Sequence, residues 1–288
     1  MFTDRLTNVQ TAVQAALDAH VAQYPAGQLR DAMHYALQGG KRLRAFLVLE
    51  GAAIFDIPTE KAMPAACAVE ALHAYSLVHD DMPCMDNDDL RRGMPTVHVQ
   101  WDEATAALAG DALQTMAFEL LTSPALGTAE TRIRLVADLA QASGAEGMVY
   151  GQALDIAAET APTPLTIEQI IELQEGKTGA LIGFAAKAGA VLAEKDPAPF
   201  AAYAKALGLA FQIADDILDI EGNEDLTGKR LHKDAEAGKA TFVSLLGLAG
   251  AKTRATELCD LAIAALAPYA QGADSLRDLA RFTIARKH

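Results

Sequence analysis

The sequence predicts an all-α protein, and three observations support that prediction. Only 6% of its 288 residues are aromatic, β-branched runs are scarce and alanine is abundant, so the dominant period is that of helices. Proline and glycine interrupt the chain at nine places, which implies about ten helices. With 51% hydrophobic residues, the chain can bury a substantial core and is not a disordered acidic tail. Because it has neither a low-complexity linker nor a repeat of about 20 to 50 residues, we expect one domain over residues 1–288.

The interruptions mark the expected helix ends in order along the chain. They lie at Pro25 and Gly27, Gly39 and Gly40, Pro58, Pro95, Pro124 and Gly127, Pro162 and Pro164, Pro197 and Pro199, Gly222 and Gly228, and Pro268 and Gly272. Thr166 followed by Gln169 predicts a capping box at the start of one helix. Ser275 is expected to cap the last helix.

Two segments, 62–82 and 200–220, are apolar around most of their circumference, which predicts helices in the centre of a bundle. Each segment ends in an acidic cluster. Carboxylates at a helix C-terminus face the negative end of the helix dipole, which costs roughly 0.3 to 1 kcal/mol per charge unless a cation compensates. The repetition of this arrangement therefore predicts a metal site.

The overall charge excludes some classes of protein. A formal net charge of −14 and a pI of about 4.9 disfavour binding to nucleic acid or to anionic lipid. The N-terminus lacks a basic segment followed by an apolar run, and no apolar stretch reaches the roughly 18 residues that span a bilayer. We therefore expect a soluble, cytoplasmic protein. Cys67, Cys84 and Cys259 are odd in number and widely spaced, which favours neither a disulfide framework nor a CxxC metal site.

The two acidic clusters have a spacing that suits metal binding. The first, residues 79–89, contains Asp80, Asp81 and Asp86, and Pro83 ends the helix so that a tight loop must bring Asp86 back. In the second, Asp215, Asp216 and Asp219 fall within an arc of roughly 100° that also includes Gln212. Mg²⁺ takes oxygen ligands and binds through a few carboxylates plus substrate phosphates. Two such sets facing each other across a bundle predict a diphosphate held by Mg²⁺.

Basic residues are grouped along the chain as an anionic substrate would require, and two of the four groups follow the acidic clusters. They are Lys41, Arg42 and Arg44, then Arg91 and Arg92, then Lys177, and finally Lys229, Arg230, Lys233 and Lys239. The segment 176–178 ends like a P-loop, but Ile171 occupies the required upstream glycine position and no strand precedes it. Paired carboxylates for glycosidase chemistry are also disfavoured, because so many like charges need a metal.

Several motifs together resemble the trans-prenyl diphosphate synthases. They are GGKRLR at 39–44, LVHDDMPCMDNDDLRRG at 77–93, GDAL at 110–113, GKTG at 176–179, and FQIADDILD at 211–219 followed by TGK at 227–229. The similarity runs from about residue 30 to 245, and the four-residue spacer in DDxxxxD is similar to that of the bacterial farnesyl diphosphate synthase group. The resemblance implies a helical bundle of the isoprenoid synthase type around a central cavity. It also implies a homodimer and a Mg²⁺-dependent head-to-tail condensation of isopentenyl diphosphate with dimethylallyl and geranyl diphosphate, giving farnesyl diphosphate.

The resemblance also implies roles for individual residues. Metal binding, with three Mg²⁺ ions per site when diphosphate is bound, falls to Asp80, Asp81, Asp86, Asp215, Asp216 and Asp219. The allylic diphosphate is expected at Arg91, Lys177, Lys229 and Lys239, and isopentenyl diphosphate at Lys41, Arg44, His73 and Arg92. Lys177, Thr178 and Gln212 form the expected catalytic set, in which the oxygens of Thr178 and Gln212 steady the carbocation. His73 lies seven residues before Asp80, about 20° from it around the helix, so both can face one cavity.

Product length is expected to depend on Tyr75 and Ser76, one turn before the first motif. Ser76 lies about 6 Å deeper than Asp80, a distance comparable to one isoprene unit. Geranylgeranyl or geranyl diphosphate synthesis stays open as an alternative, as does a non-catalytic helical partner subunit. Two departures from the family occur: Ala45 replaces a usual proline, and residues 228–234 read GKRLHKD where GKTxGKD is usual.

Overall fold

A computed structural model describes residues 2–221 and 241–285, and most of these residues are helical. The helices are α1 (Phe2–Val21), α2 (Gln28–Ala36), α3 (Leu43–Ala53), α4 (Thr59–Asp80), α5 (Val97–Gln100), α6 (Glu103–Leu121), α7 (Ala129–Ser143), α8 (Met148–Glu159), α9 (Ile167–Gln174), α10 (Ala180–Leu192), α11 (Ala198–Glu221), α12 (Phe242–Ala265) and α13 (Asp274–Ala285). Tighter 3₁₀ turns span Pro124–Leu126 and Ala267–Ala273, and a π-helical turn spans Glu175–Gly179. The all-α prediction is confirmed.

The chain divides into two compact units. The first comprises Met1–Leu139 and Ala188–Lys195, and the second Ala140–Lys187 and Asp196–His288. In the first unit, α4 packs against α3 and α6, and its alanine-rich interior is fully buried. Small residues also permit a close contact between Gly189 and α3 in this unit: a Cβ on Gly189 would overlap the backbone of Gly51. In the second unit, α11 packs against α12 and α13, and the buried Tyr203 donates a hydrogen bond to the Leu276 carbonyl at 2.7 Å. A single domain over residues 1–288 stays a prediction.

The helices expected in the bundle centre are present at the expected places. Segment 62–82 corresponds to α4 and segment 200–220 to α11, and both are extensively buried. The capping box of Thr166 and Gln169 is confirmed at the start of α9. The expected cap at Ser275 is wrong, because α13 already begins at Asp274, directly after a 3₁₀ turn. No described helix is both long enough and apolar enough to cross a membrane.

The sequence did not predict a small antiparallel hairpin formed by β1 (Leu90–Arg91) and β2 (Met94–Pro95). Arg92 and Gly93 form its two-residue turn with φ angles of 53° and 75°. Positive φ at both central positions defines a type I′ turn, whose twist matches that of the strands it joins. The hairpin follows the first acidic cluster and fixes the direction of two arginines.

Candidate functional site

The first acidic cluster begins where α4 ends at Asp80. The following loop folds back on that helix end, since the Asp86 N–H donates to the Asp80 carbonyl at 2.8 Å and the Asn87 N–H donates to the Met82 carbonyl at 3.1 Å. Asp80 is half-buried and Asp86 is exposed. The predicted return of Asp86 to the helix end is therefore confirmed at the level of the backbone.

Asp81 follows Asp80 and is bound to Arg91 of β1. Arg91 Nε lies 2.8 and 2.7 Å from the two carboxylate oxygens, and Nη2 lies 2.5 Å from Oδ1. Asp81 is only 3% exposed. Burial alone would lower the pKa of Arg91, but its hydrogen bond to Asp81 and the nearby negative charge raise it above the usual value. The structure thus joins an expected metal ligand to an expected diphosphate ligand.

Arg92 points the other way across the hairpin, toward the glycine pair before α3. Its Nη1 donates to the Gln38 carbonyl at 2.8 Å. Gly40 has a φ of 91°, and a Cβ there would lie 2.9 Å from Nη2 of Arg92. Glycine at this position therefore supplies both the backbone conformation and the space that the guanidinium occupies.

His73 lies on α4, the helix that also carries Asp80, and it is influenced by the positive charges of arginines from outside that helix. Its pKa is lowered well below 6.5, first by burial and then by the charges of neighbouring arginines, which are Arg44, Arg92, Arg91 and Arg42. The imidazole is therefore neutral at neutral pH and adds a hydrogen-bonding group to the cluster. Of the residues expected to hold isopentenyl diphosphate, the structure brings together His73, Arg44 and Arg92, and the exposed Lys41 precedes them in the loop before α3.

A buried ion pair holds the loop that carries these residues. Arg42 and Glu70 are only 4% and 3% exposed, and Nη1 lies 3.2 Å from Oε2. Arg42 also donates to the side chain of Gln14 at 2.7 Å and to the Leu37 carbonyl. Sequence reasoning did not assign Glu70 a role, because an isolated glutamate in the apolar middle of a helix has no spacing signal.

The two residues expected to set product length are both half-buried on α4. Ser76 Oγ donates to the His73 carbonyl at 2.9 Å, which satisfies the hydroxyl within its own helix. The pKa of Tyr75 is raised, chiefly by burial and then by the charges of Asp80 and Asp111. Tyr75 packs against His79, whose Nε2 lies 3.1 Å from the Ala107 carbonyl of α6, so the phenol lies on the side of α4 that faces α6.

In the second unit, Lys177 lies in the π-helical turn at Glu175–Gly179 together with the half-buried Thr178. Its Nζ binds the carboxylate of Asp155 on α8 at 2.6 Å. Gly151 and Gly176 make this crossing possible, because a Cβ on Gly176 would lie 2.9 Å from Gly151 Cα. π-Helical turns occur mostly as single insertions and often at functional sites.

Asp155 is another residue that sequence reasoning missed. It is buried, and it lies four residues after Gly151, so both face the π-helical turn. A buried carboxylate on an otherwise small and apolar helix face is the signal that could have identified it.

The second acidic cluster lies on α11. Asp216 is 5% exposed; its Oδ1 accepts from Gln212 Nε2 at 3.1 Å, and its Oδ2 accepts from the Phe242 N–H at the start of α12 at 2.8 Å. Asp215 and Asp219 are half-buried on the same helix. Asp216 therefore joins α11 to α12 and orients the Gln212 amide, so that the amide oxygen is the end not engaged by Asp216.

The donor types of both clusters fit Mg²⁺, because carboxylate oxygens are the ligands that it prefers. Within residues 2–221 and 241–285, no three His, Cys, Asp or Glu side chains are grouped closely enough to form a metal site by themselves. This is compatible with an ion that keeps several waters and shares its coordination with substrate phosphates. The expected ligands Lys229 and Lys239, and the departures at 228–234, lie outside the described residues.

The helical fold and these sites define a prenyltransferase of the polyprenyl synthetase family. The family model described as Polyprenyl synthetase matches residues 26–267, so the chain belongs to that family. It is 42% identical to the farnesyl diphosphate synthase of Haemophilus influenzae, with 99% of each chain covered. A crystal structure of an apo FPP/GFPP synthase from Zymomonas mobilis superposes with a TM-score of 0.90 at 44% identity, and 98% of each chain is covered.

A further relative has a different product in its name. The chain is 42% identical to geranylgeranyl pyrophosphate synthase 9, chloroplastic, of Arabidopsis thaliana, over 86% of this chain and 71% of that protein. The resemblance to trans-prenyl diphosphate synthases is confirmed. The names of these relatives do not agree on one product length.

The buried ion pair leads to a prediction about stability. Glu70→Gln leaves the Arg42 guanidinium buried without its counter-charge, so we expect the free energy of unfolding in urea to fall by about 3 kcal/mol. Glu257→Gln is the matched control, since Glu257 pairs with Arg254 at the surface, where the two side chains are 54% and 44% exposed. That control should lose less than about 1 kcal/mol. Equal losses in the two variants would contradict a structural role for the buried pair.

The lowered pKa of His73 predicts a pH dependence. Below pH 6.5 the unfolded chain takes up a proton at His73 that the folded protein does not. The free energy of unfolding therefore decreases as the pH is lowered. His73→Gln removes this difference, and we expect the loss of unfolding free energy between pH 7.5 and 5.5 to shrink by about 1 kcal/mol. Urea titrations at both pH values measure it, and an unchanged pH slope would contradict the neutral state of His73.

Proposed function

We propose that this chain joins isopentenyl diphosphate head-to-tail to dimethylallyl and then geranyl diphosphate, and releases farnesyl diphosphate. In each step the allylic carbon–oxygen bond breaks and inorganic diphosphate leaves, and the isopentenyl double bond attacks the resulting carbocation. The new carbocation formed by this addition then loses a proton, for which the released diphosphate is the available base, and the product double bond forms. The observation that supports this best is the end of α4. There, Asp81 of a carboxylate-rich loop binds Arg91, and burial together with the charges of Arg91 and three further arginines lowers the pKa of the neutral His73. An acidic protein that binds two diphosphates needs such a local reversal of charge.

Carboxylates of both clusters are proposed as metal ligands. Asp80, Asp81 and Asp86 fill this role in the first cluster, and Asp215 and Asp219 are half-buried on α11 in the second. Asp216 contributes indirectly, since its two hydrogen bonds fix Gln212 and the start of α12. When bound with substrate, Mg²⁺ neutralises the charge of the departing diphosphate. Three ions per site remain a prediction from the family resemblance.

The basic side chains divide between the two substrates. Arg91 and Lys177 are proposed to bind the allylic diphosphate, and each is held ready by a carboxylate, Asp81 or Asp155. Such pairing fixes the position of a long side chain before substrate arrives. Isopentenyl diphosphate is assigned to Lys41, Arg44, His73 and Arg92. Arg92 suits this role because the Gln38 carbonyl anchors its guanidinium at Nη1, and a planar guanidinium held in this way can present its remaining N–H groups to phosphate oxygens.

Carbocation stabilisation is assigned to oxygens in the second unit. Thr178 lies in the π-helical turn, and Gln212 has its amide nitrogen engaged by Asp216. An oriented oxygen dipole stabilises positive charge without offering a base that would quench it. The homodimer remains a prediction from the family resemblance, and the cytoplasmic location remains a prediction from the sequence.

Geranylgeranyl diphosphate is the second candidate product. It is favoured by the small side chain of Ser76, which leaves room for a longer tail than a bulky residue would. Tyr75 beside it argues for the shorter farnesyl product. Chain-length analysis of the products made from isopentenyl and dimethylallyl diphosphate separates the two candidates.

The metal assignment predicts that Asp80→Ala and Asp215→Ala each lower turnover by at least about a hundredfold, because each removes charge that holds the cations. Neither variant should unfold, since the loss of one carboxylate relieves repulsion within its cluster. Turnover is measured as condensation with and without Mg²⁺, and folding by circular dichroism. Asp260→Ala, which removes an exposed carboxylate of α12, is the control. Product formation that ignores Mg²⁺, or its complete absence in the unmodified chain, would refute the proposed function.

The position of Ser76 predicts a change in product. Ser76→Phe fills the space one turn below Asp80, so we expect elongation to stop at ten carbons. Chromatography of the dephosphorylated products measures the chain length. A variant that still makes mainly the fifteen-carbon product would show that this position does not form the floor of the cavity.

A further inference from the structure

His79, directly before the first aspartate motif, has no assigned role in the proposed function, yet three contacts fix its ring. Tyr75, one turn earlier on α4, packs edge-to-face against it with ring centroids 5.0 Å apart at an interplanar angle of 77°. His79 Nε2 lies 3.1 Å from the Ala107 carbonyl on α6. The ring also lies against the backbone of Gly110, one turn further along α6. The imidazole therefore fills the space between Tyr75 and α6.

Gly110 is what allows the ring to lie there. An added Cβ at Gly110 would be 2.9 Å from His79 Cε1 and closer still to Nε2 and Cδ2. These atoms belong to a side chain that can rotate, so an added methyl would displace the imidazole before it displaced α6. Because Tyr75 packs against the imidazole, that displacement would be passed on to the phenol ring.

We propose that His79 and Gly110 are positioning residues that set the product length by fixing the ring of Tyr75. The inference rests on the proposed function, in which Tyr75 limits the growth of the prenyl tail. His79 supports the Tyr75 ring from the side of α6. Because Gly110 has no side chain, the imidazole of His79 can lie close to the backbone of α6. The pair thus acts on the tail through Tyr75 without touching it.

The two residues can be changed in opposite directions. Gly110→Ala pushes the imidazole toward Tyr75 and the phenol into the space of the tail, so the product should become shorter. His79→Ala removes the support, and the phenol can turn into the vacated space, so the product should become longer. A hydrophobic site discriminates one small group by roughly tenfold or more, so each ratio should change by about tenfold.

The experiment compares unmodified protein, Gly110→Ala, His79→Ala and the double variant, each incubated with isopentenyl and dimethylallyl diphosphate and Mg²⁺. Dephosphorylated products are separated, and the ratios of ten to fifteen and of twenty to fifteen carbons are measured. Gly183→Ala is the matched control, because a Cβ there meets nothing within 4 Å. It should leave both ratios unchanged, which separates the contact with His79 from a general effect of alanine in a helix.

We expect Gly110→Ala to raise the ten-carbon ratio and His79→Ala to raise the twenty-carbon ratio. The double variant should behave like His79→Ala, because the new methyl group then has no imidazole to displace. A folded and active Gly110→Ala or His79→Ala enzyme with the unmodified product ratios would overturn the inference. If Gly110→Ala does not fold, His79→Ala decides the question alone. A failure of this inference leaves condensation intact, whereas a failure of the proposed function abolishes all Mg²⁺-dependent product.

Discussion

The placement of the basic side chains before and within the start of α3 depends on the buried contact between Arg42 and Glu70. Arg42 adopts a left-handed backbone conformation with φ 51°, and its guanidinium reaches Glu70 of α4, Gln14 of α1 and the end of α2. This one side chain therefore ties the loop before α3 to three helices. A buried ion pair gives little net stability but penalises any arrangement that separates the charges. Because Lys41 and Arg44 flank Arg42, the same contact sets their position relative to His73.

Helix α4 carries two groups of side chains with different proposed roles on different faces. Glu70, His73 and Asp80 fall within an arc of roughly 80° and handle charge. Tyr75 and His79 are about 40° apart and lie roughly 100 to 140° away from Asp80, on the side that packs against α6. Ser76 lies between the two sets. Under the proposed function, a rigid helix thereby links the diphosphate end of the substrate to the end of its growing tail at a fixed distance, which is what a defined product length requires.

The sequence predicted those features that depend on local pattern. The bounds of α4 and α11 follow from long apolar periodicity, and the return of Asp86 follows from Pro83. The orientation of Arg92 in the hairpin was not predictable, because its guanidinium lies against the distant Gly40 and donates to the Gln38 carbonyl. Asp155 and Glu70 were also missed. Each is an isolated carboxylate in an otherwise apolar part of its helix, and only the folded chain shows the cation that it meets.

The alanine at position 45 shows how the ion pair also accommodates a departure from the family. A proline there would have no N–H, whereas Ala45 brings an N–H in the first turn of α3, where no helical carbonyl can accept it. Glu70 Oε1 accepts this hydrogen bond at 2.9 Å, while Oε2 faces Arg42. Both oxygens of the buried carboxylate are thereby used, one by the helix start and one by the guanidinium. The substitution therefore ties α3 more closely to α4 and leaves no buried donor unsatisfied.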